Sequence, residues 1–391
     1  MWTLDPTIAF LNHGSFGACP RPVQDAQARW RERMEAEPVR FFVRELDAAL
    51  DAVRERLGAF LGARGDDLAF VPNATTGVNA VVQRWALKAG DEVVVTTHGY
   101  NACTNAVRFV CDRAGATVRF AERRFAIAAP DEVVDAARAV LTERTRYALI
   151  DHVTSPTGLV FPVAELIALF QGRGVEVLVD GAHAPGMLPL QLEALGASWY
   201  AGNLHKWVCA PKGSAFLWVR KDRQAALRPL VISHGANSPR TDRSRFRLEH
   251  DWVGTDDPSP FLCVSDALDT LERLLPGGLP ALQARNHALA LDAQRLLCRA
   301  LGIAPPAPPS MLGSMASLPL PRRTGGPTAG FSDVGDPVQE ALFHRHRIEV
   351  PIFPFAGGRL MRVCAQHYNR LEEYERLAGL LPGLLATAPT F

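Results

Sequence analysis

Lysine is nearly absent from this chain. Of its 42 basic residues only Lys88, Lys206, Lys212 and Lys221 carry a primary amine, so chemistry that needs one has few candidates. Net charge is lacking too: 42 basic residues against 41 acidic ones leave no field to attract nucleic acid or an anionic membrane. No run of about 18 apolar residues occurs, and the start, MWTLDPTIAF, has no basic stretch leading into an apolar segment and cleavage site. These absences point to a cytoplasmic protein acting on a small molecule, with no nucleic-acid or membrane partner. The seven cysteines, at 19, 103, 111, 209, 263, 298 and 364, include no pair at metal-ligand spacing, and their odd number does not suit a complete disulfide framework. They read as reduced thiols, and no metal site is expected.

What is present suits a globular enzyme. At 391 residues the chain exceeds one small core, and 48% hydrophobic with 21% charged residues is an ordinary balance. From about 66 to 220, seven short apolar runs (DLAFV, DEVVVT, ATVRF, RYALID, VEVLVD, SWYAG and SAFLWV) alternate with helical patterns such as 131–141 and 163–173. Strands alternating with helices predict an α/β fold with a mostly parallel, seven-stranded sheet between helices, and its ligands gather where strands end. Residues 20–62 read as two amphipathic helices. After the loop-rich 221–258, helices at 259–275 and 280–302 open a smaller α+β unit, punctuated by proline-rich 304–309 and glycine-rich 324–330. The division expected is a large domain over 21–258 and a small C-terminal one over 259–391, packing partly with 1–40.

The run VEVLVD ends at Asp180, and Lys206 follows 26 residues later in GNLHKW. Alone, Asp180 reads as a helix cap. A carboxylate at the end of a buried strand is costly without a cation, however, and a protonated pyridine nitrogen would supply one. Lys88, Lys212 and Lys221 sit in polar turns and read as solvated, whereas Lys206 lies between His205 and Trp207, where desolvation favours imine formation. Together, Asp180 and Lys206 point to pyridoxal 5'-phosphate (PLP) carried as a Schiff base. Asn73-Ala74-Thr75-Thr76-Gly77 opens a helix after a strand, which suits both an N-cap and a phosphate site.

The chain resembles the class V aminotransferase family of fold-type I PLP enzymes, and within it the isopenicillin N epimerase-like subgroup. The segments that carry the resemblance are LNHGSFG (11–17), EPVRFFVREL (37–46), NATTGVNAV (73–81), YNACTNAV (100–107), TSPTGLVFPVAEL (154–166), VDGAHAPG (179–186), HKW (205–207), GTDD (254–257) and LMRVCAQHYN (360–369). The resemblance implies that Lys206 forms the Schiff base and acts as acid/base at the substrate Cα. It places Asp180 at the pyridine nitrogen, and His183 and Ser155 toward the ring hydroxyl. Ala74, Thr75 and His205 fall at the phosphate, with Tyr100 stacked on the ring and His98 as its fallback. It also implies a homodimer with shared sites, Thr255 reaching the partner's phosphate, and an N-terminal segment, 1–20, that enters the active site.

For the substrate carboxylate, Arg362 matches the family's arginine, with Asn12 as a second contact; His13 and Arg44 are further substrate-side candidates, and Arg359 reads as solvated. Where relatives often read Gly-Thr-Arg-Asp, this chain has Gly-Thr-Asp-Asp, reversing a charge near the shared site. Residues 350–358, VPIFPFAGG, hold none of the cysteine that desulfurases carry there, and Cys364 reads as core; both argue against a persulfide mechanism. After Cα deprotonation of an L-amino acid, three outcomes compete. Elimination from a cysteine-derived substrate (C–S lyase) is favoured, epimerisation is the alternative, and transamination or a non-catalytic regulatory role ranks lower. Epimerisation needs a second proton carrier, for which His13, His98 and Tyr100 are the candidates.

Overall fold

The computed structural model describes residues 1–321 and 335–387; the glycine-rich 324–330 stretch lies outside them. A short strand, β1 (Ala9–Phe10), precedes the seven of the main sheet: β2 (Leu68–Val71), β3 (Glu92–Thr96), β4 (Thr117–Ala121), β5 (Thr145–Asp151), β6 (Glu176–Asp180), β7 (Trp199–Asn203) and β8 (Ala215–Val219). Each coincides with one of the seven apolar runs. Their order is β2-β8-β7-β6-β5-β3-β4, and every neighbouring pair is parallel except those of β8, which runs antiparallel to β2 and β7. Helices cover both faces, so Val93, Val94 and Val95 of β3 are all buried, which explains an unbroken apolar run instead of alternation. The edge strand β4 differs: Thr117 is exposed and Val118, Arg119 and Phe120 are half-buried.

Local signals set the helices that flank the strand ends. Asn73 caps the helix Ala74–Val82 by accepting a hydrogen bond from the Thr76 N–H at 2.8 Å. The helix Asn101–Ala114 stops where Gly115 turns left-handed at φ 68°.

The C-terminal unit contributes β9 (Met315–Leu320), β10 (Ile348–Glu349), β11 (Ile352–Phe355) and β12 (Gly358–Cys364). β9, β11 and β12 form an antiparallel sheet in the order β11-β12-β9, against the helix Gly278–Leu301. β10 instead pairs in parallel with β1, and the Cys364 N–H donates to the Leu11 carbonyl at 2.8 Å. The N-terminal segment is thereby stitched to the small sheet before it crosses to the large one. At the crossing Gly17 has φ 70°, and a Cβ there would lie 2.0 Å from the His205 carbonyl oxygen, so a side chain is excluded. The Lys212 ammonium donates to the Gly17 carbonyl at 2.8 Å. Lys212, expected to be solvated, is therefore a tether between the two segments. No described helix is long and apolar enough to cross a membrane.

Candidate active site

The C-terminal ends of β5, β6 and β7 deliver their loops to one place, facing Arg362 of β12. Lys206, three residues past the end of β7, is half-buried, and burial followed by the nearby Arg362 guanidinium pulls its amine down to about 8. Its Nζ lies 3.0 Å from Nε2 of His183, whose Nδ1 accepts the Trp207 indole N–H at 3.3 Å. An indole nitrogen only donates, so Nε2 of the neutral imidazole holds the ring proton and directs it at Lys206. Burial keeps His183 well below the ordinary histidine range, in keeping with that neutral form. The site thus favours the free, nucleophilic amine of Lys206 more than water does.

Asp180, at the end of β6, is 3% exposed. It accepts from the Ala182 N–H at 3.0 Å and from the Cys103 thiol at 3.2 Å, and it forms no ion pair among the described residues. Burial raises its pKa. A buried carboxylate with no cation bonded to it fits a pyridinium in the cleft.

At the start of the helix Ala74–Val82, Asn203 Oδ1 takes the Ala74 N–H at 2.8 Å and Asn73 takes that of Thr76. The Thr75 N–H is left without an acceptor in the chain, at the positive end of a helix, where an anion binds. His205 donates Nδ1–H to the Ser214 carbonyl at 3.0 Å, and burial with two nearby lysines lowers it to about 4. Tyr100 is 36% exposed at the N-terminus of the helix Asn101–Ala114, and its hydroxyl has no hydrogen-bond partner.

Arg362 is 3% exposed and meets no carboxylate. One terminal nitrogen donates to the Ser155 carbonyl at 2.5 Å and to its hydroxyl at 3.3 Å; the other donates to Ser15 Oγ at 3.1 Å; Nε has no partner. A buried guanidinium with an unused N–H is an incomplete ion pair, which a substrate carboxylate would complete.

Several sequence expectations change. His13 is fully buried: Nε2 donates to the Lys206 carbonyl at 3.0 Å, Nδ1 accepts from the Tyr368 hydroxyl at 2.9 Å, and burial drives it down to about 3. It props up the Lys206 backbone and has no free nitrogen for substrate. His98 is likewise spent, on Thr157 Oγ1 at 2.8 Å and the Arg123 carbonyl at 2.9 Å. The Asn12 amide donates to Glu349 at 3.0 Å and its carbonyl accepts from the Ser15 hydroxyl at 2.6 Å, so it reaches Arg362 through Ser15. Arg44 is exposed, with no hydrogen bond or ion pair. Thr255 is exposed on the loop after the helix Arg245–Asp251, without a hydrogen bond in this chain. Arg359, expected to be solvated, pairs with Asp336 at 2.6 Å and is only 10% exposed at its side chain. Cys364 is core as expected, and all seven cysteines are free. Asn203, Cys103 and Ser15 escaped the sequence reading because nothing local marks them. Asp151 escaped although it ends a buried strand just as Asp180 does.

The aminotransferase class-V family description matches residues 18–300, and the chain belongs to that family. Its cofactor is PLP, and Lys206, Asp180 and the open helix start at Thr75 suit its three ends. The chain is 38% identical to the isopenicillin N epimerase of Amycolatopsis lactamdurans, over 98% of this chain and 96% of that protein. It is 33% identical to a probable chloroplastic L-cysteine desulfhydrase of Arabidopsis thaliana, covering 97% and 84%. Among solved structures, a C-DES variant with glycine covalently linked to its PLP cofactor superposes with TM-score 0.78 at 22% identity, covering 98% of this chain and 97% of that one. The Escherichia coli cysteine desulfurase CsdA gives TM-score 0.78 at 20% identity, over 99% and 97%.

Proposed function

We propose that this chain is a PLP-dependent C–S lyase that removes the Cα proton of a cysteine-derived L-amino acid and expels its β-sulfur substituent. When bound, PLP supplies an electron sink for negative charge at Cα. Lys206 Nζ takes the Cα proton, its free-amine form made more accessible by the desolvated site and by His183. Asp180 would hold the pyridine nitrogen, with His183 and Ser155 toward the ring hydroxyl. Thr75 and His205 would hold the phosphate, Ala74 only lining it because Asn203 takes its N–H, and Tyr100 would cover the ring. Arg362 clamps the substrate carboxylate, with Asn12 orienting it through Ser15. The Cβ–S bond then breaks, the sulfur leaves as a thiol after gaining a proton, and water converts the remainder to pyruvate and ammonia.

One observation favours elimination over epimerisation: His13 and His98, both candidates for delivering a proton to the opposite face, have both ring nitrogens committed. Epimerisation stands second, supported by the 38% identity to an epimerase and by the unpartnered Tyr100 hydroxyl. The functional unit is proposed to be a homodimer, in which Thr255 of one copy meets the phosphate of the other. The apolar Val231 and Ile232, 53% and 56% exposed in the same loop-rich region, support a covered surface there. The domain division at 258/259, with 1–20 entering the site, is part of the same proposal. The test is incubation with PLP and L-cysteine or its S-conjugates in deuterated water. Thiol and pyruvate release supports the lyase; Cα exchange with inversion and no pyruvate overturns it in favour of the epimerase.

A further inference from the structure

Beside Asp180 lies a second carboxylate to which the proposed chemistry gives no task. Asp151 ends β5 as Asp180 ends β6, and the two are register partners on neighbouring parallel strands, so their side chains leave the same face. They are 4% and 3% exposed, and neither forms an ion pair among the described residues. Asp151 Oδ1 accepts the Tyr100 N–H at 3.3 Å. The turn before Tyr100 rests on the same carboxyl, because a Cβ at Gly99 would lie 3.3 Å from Asp151 Oδ2. The titratable groups around the pair are Tyr100 and Cys103 from the helix, Tyr200 from β7, and Lys206; of these only Lys206 becomes a cation.

Two like charges this close in a dry site do not both ionise. The donors decide which acid keeps the proton. Asp180 has a backbone N–H, a thiol and the nearby Lys206, whereas Asp151 has only backbone N–H groups, that of Tyr100 at 3.3 Å and its own. Burial and the Asp180 charge accordingly hold Asp151 well above the carboxylate range.

We propose that Asp151 is a positioning residue: it stays a neutral carboxylic acid beside ionised Asp180, holds the Gly99–Tyr100 turn in place, and leaves one negative charge facing the ring nitrogen of PLP. The last clause rests on the assignment of Asp180 to that nitrogen; the first two do not. Asparagine is the neutral mimic of such an acid, and it keeps an acceptor for the Tyr100 N–H.

Infrared difference spectra of the cofactor-free protein at neutral pH, wild type minus D151N, test the protonation directly. A protonated-carboxyl C=O band is expected in the wild type and lost in D151N; no such difference overturns the proposal. PLP affinity tests the positioning. D151A is expected to bind about tenfold more weakly, one lost hydrogen bond's worth, and D151N to restore binding to within about twofold. Equal loss in both, or in neither, overturns it. Should D151A fail to fold, D151N alone decides: a tenfold loss there counts against a neutral acid. The nitrogen resonance of 15N-labelled PLP separates the two readings. It should report a protonated ring in the wild type and D151N and a deprotonated one in D180N. An unchanged D180N signal overturns the Asp180 assignment while leaving the infrared result standing.

Discussion

Two clusters of buried charge in this protein are built on opposite principles. Around the helix Leu46–Leu61, Arg54 and Arg247 are 1% and 5% exposed, yet each is paired with at least two carboxylates. Arg54 meets Asp251 at 2.7 Å and Asp51 at 2.9 Å; Arg247 meets Asp66 at 2.8 Å and Asp251 at 2.9 Å; Arg243 reaches Asp51 at 3.0 Å. At the strand ends, Arg362, Asp180 and Lys206 are as enclosed or nearly so, but no ion pair joins any of them. Burying a charge without a partner is expensive, so the second cluster persists only as a site whose partners arrive from outside. A cofactor ring nitrogen and a substrate carboxylate are such partners.

The widest break between the clusters is expected at Lys206. Lys206→Ala should lower turnover by about 10⁴-fold and abolish borohydride-trapped cofactor, while Lys221→Ala keeps the trapped label; mass mapping of the labelled peptide checks both. Next comes stability without cofactor. Arg54→Met leaves Asp51 and Asp251 short of a buried partner and should cost about 3–5 kcal/mol by denaturant unfolding, whereas Arg362→Met removes an unpaired cation and should cost far less. Equal losses would erase the distinction. Binding gives a third contrast. Arg362→Lys should raise KM for the amino acid about 10- to 100-fold with a smaller change in kcat, since an ammonium cannot reproduce the fork; initial-rate kinetics read this.

The smallest effect is a pH slope. His13, His98 and His152 are lowered in the folded chain to about 3, 4 and 4 by burial, whereas unfolded they titrate near 6.5. The unfolded state therefore binds more protons below pH 6.5. Their contribution is whole above that pH and is lost as pH falls toward 4, at up to about 1.4 kcal/mol per unit for each histidine. Unfolding midpoints across pH 7 to 5 should fall, and His13→Gln should flatten the slope.

The fold was legible because a sheet covered on both faces demands apolar runs, and RYALID or VEVLVD cannot easily be anything else. The antiparallel course of β8 was not, since SAFLWV reads the same in either direction. Lys206 stood out by elimination among four lysines, and Asp180 by its place at a strand end. The identical place of Asp151 went unread because a pattern says where a carboxylate sits and not what stands beside it.

By itself the sequence determined the periodicities, the scarcity of amines and the motifs that mark a PLP enzyme, all of which are local in the chain. Only the tertiary structure decided which polar atoms remain free. His13 is spent on Lys206, 193 positions away, while Arg362 keeps an idle N–H. Hydrogen-bond saturation depends on contacts between distant segments, so a residue's place in the sequence does not show what it has left to give.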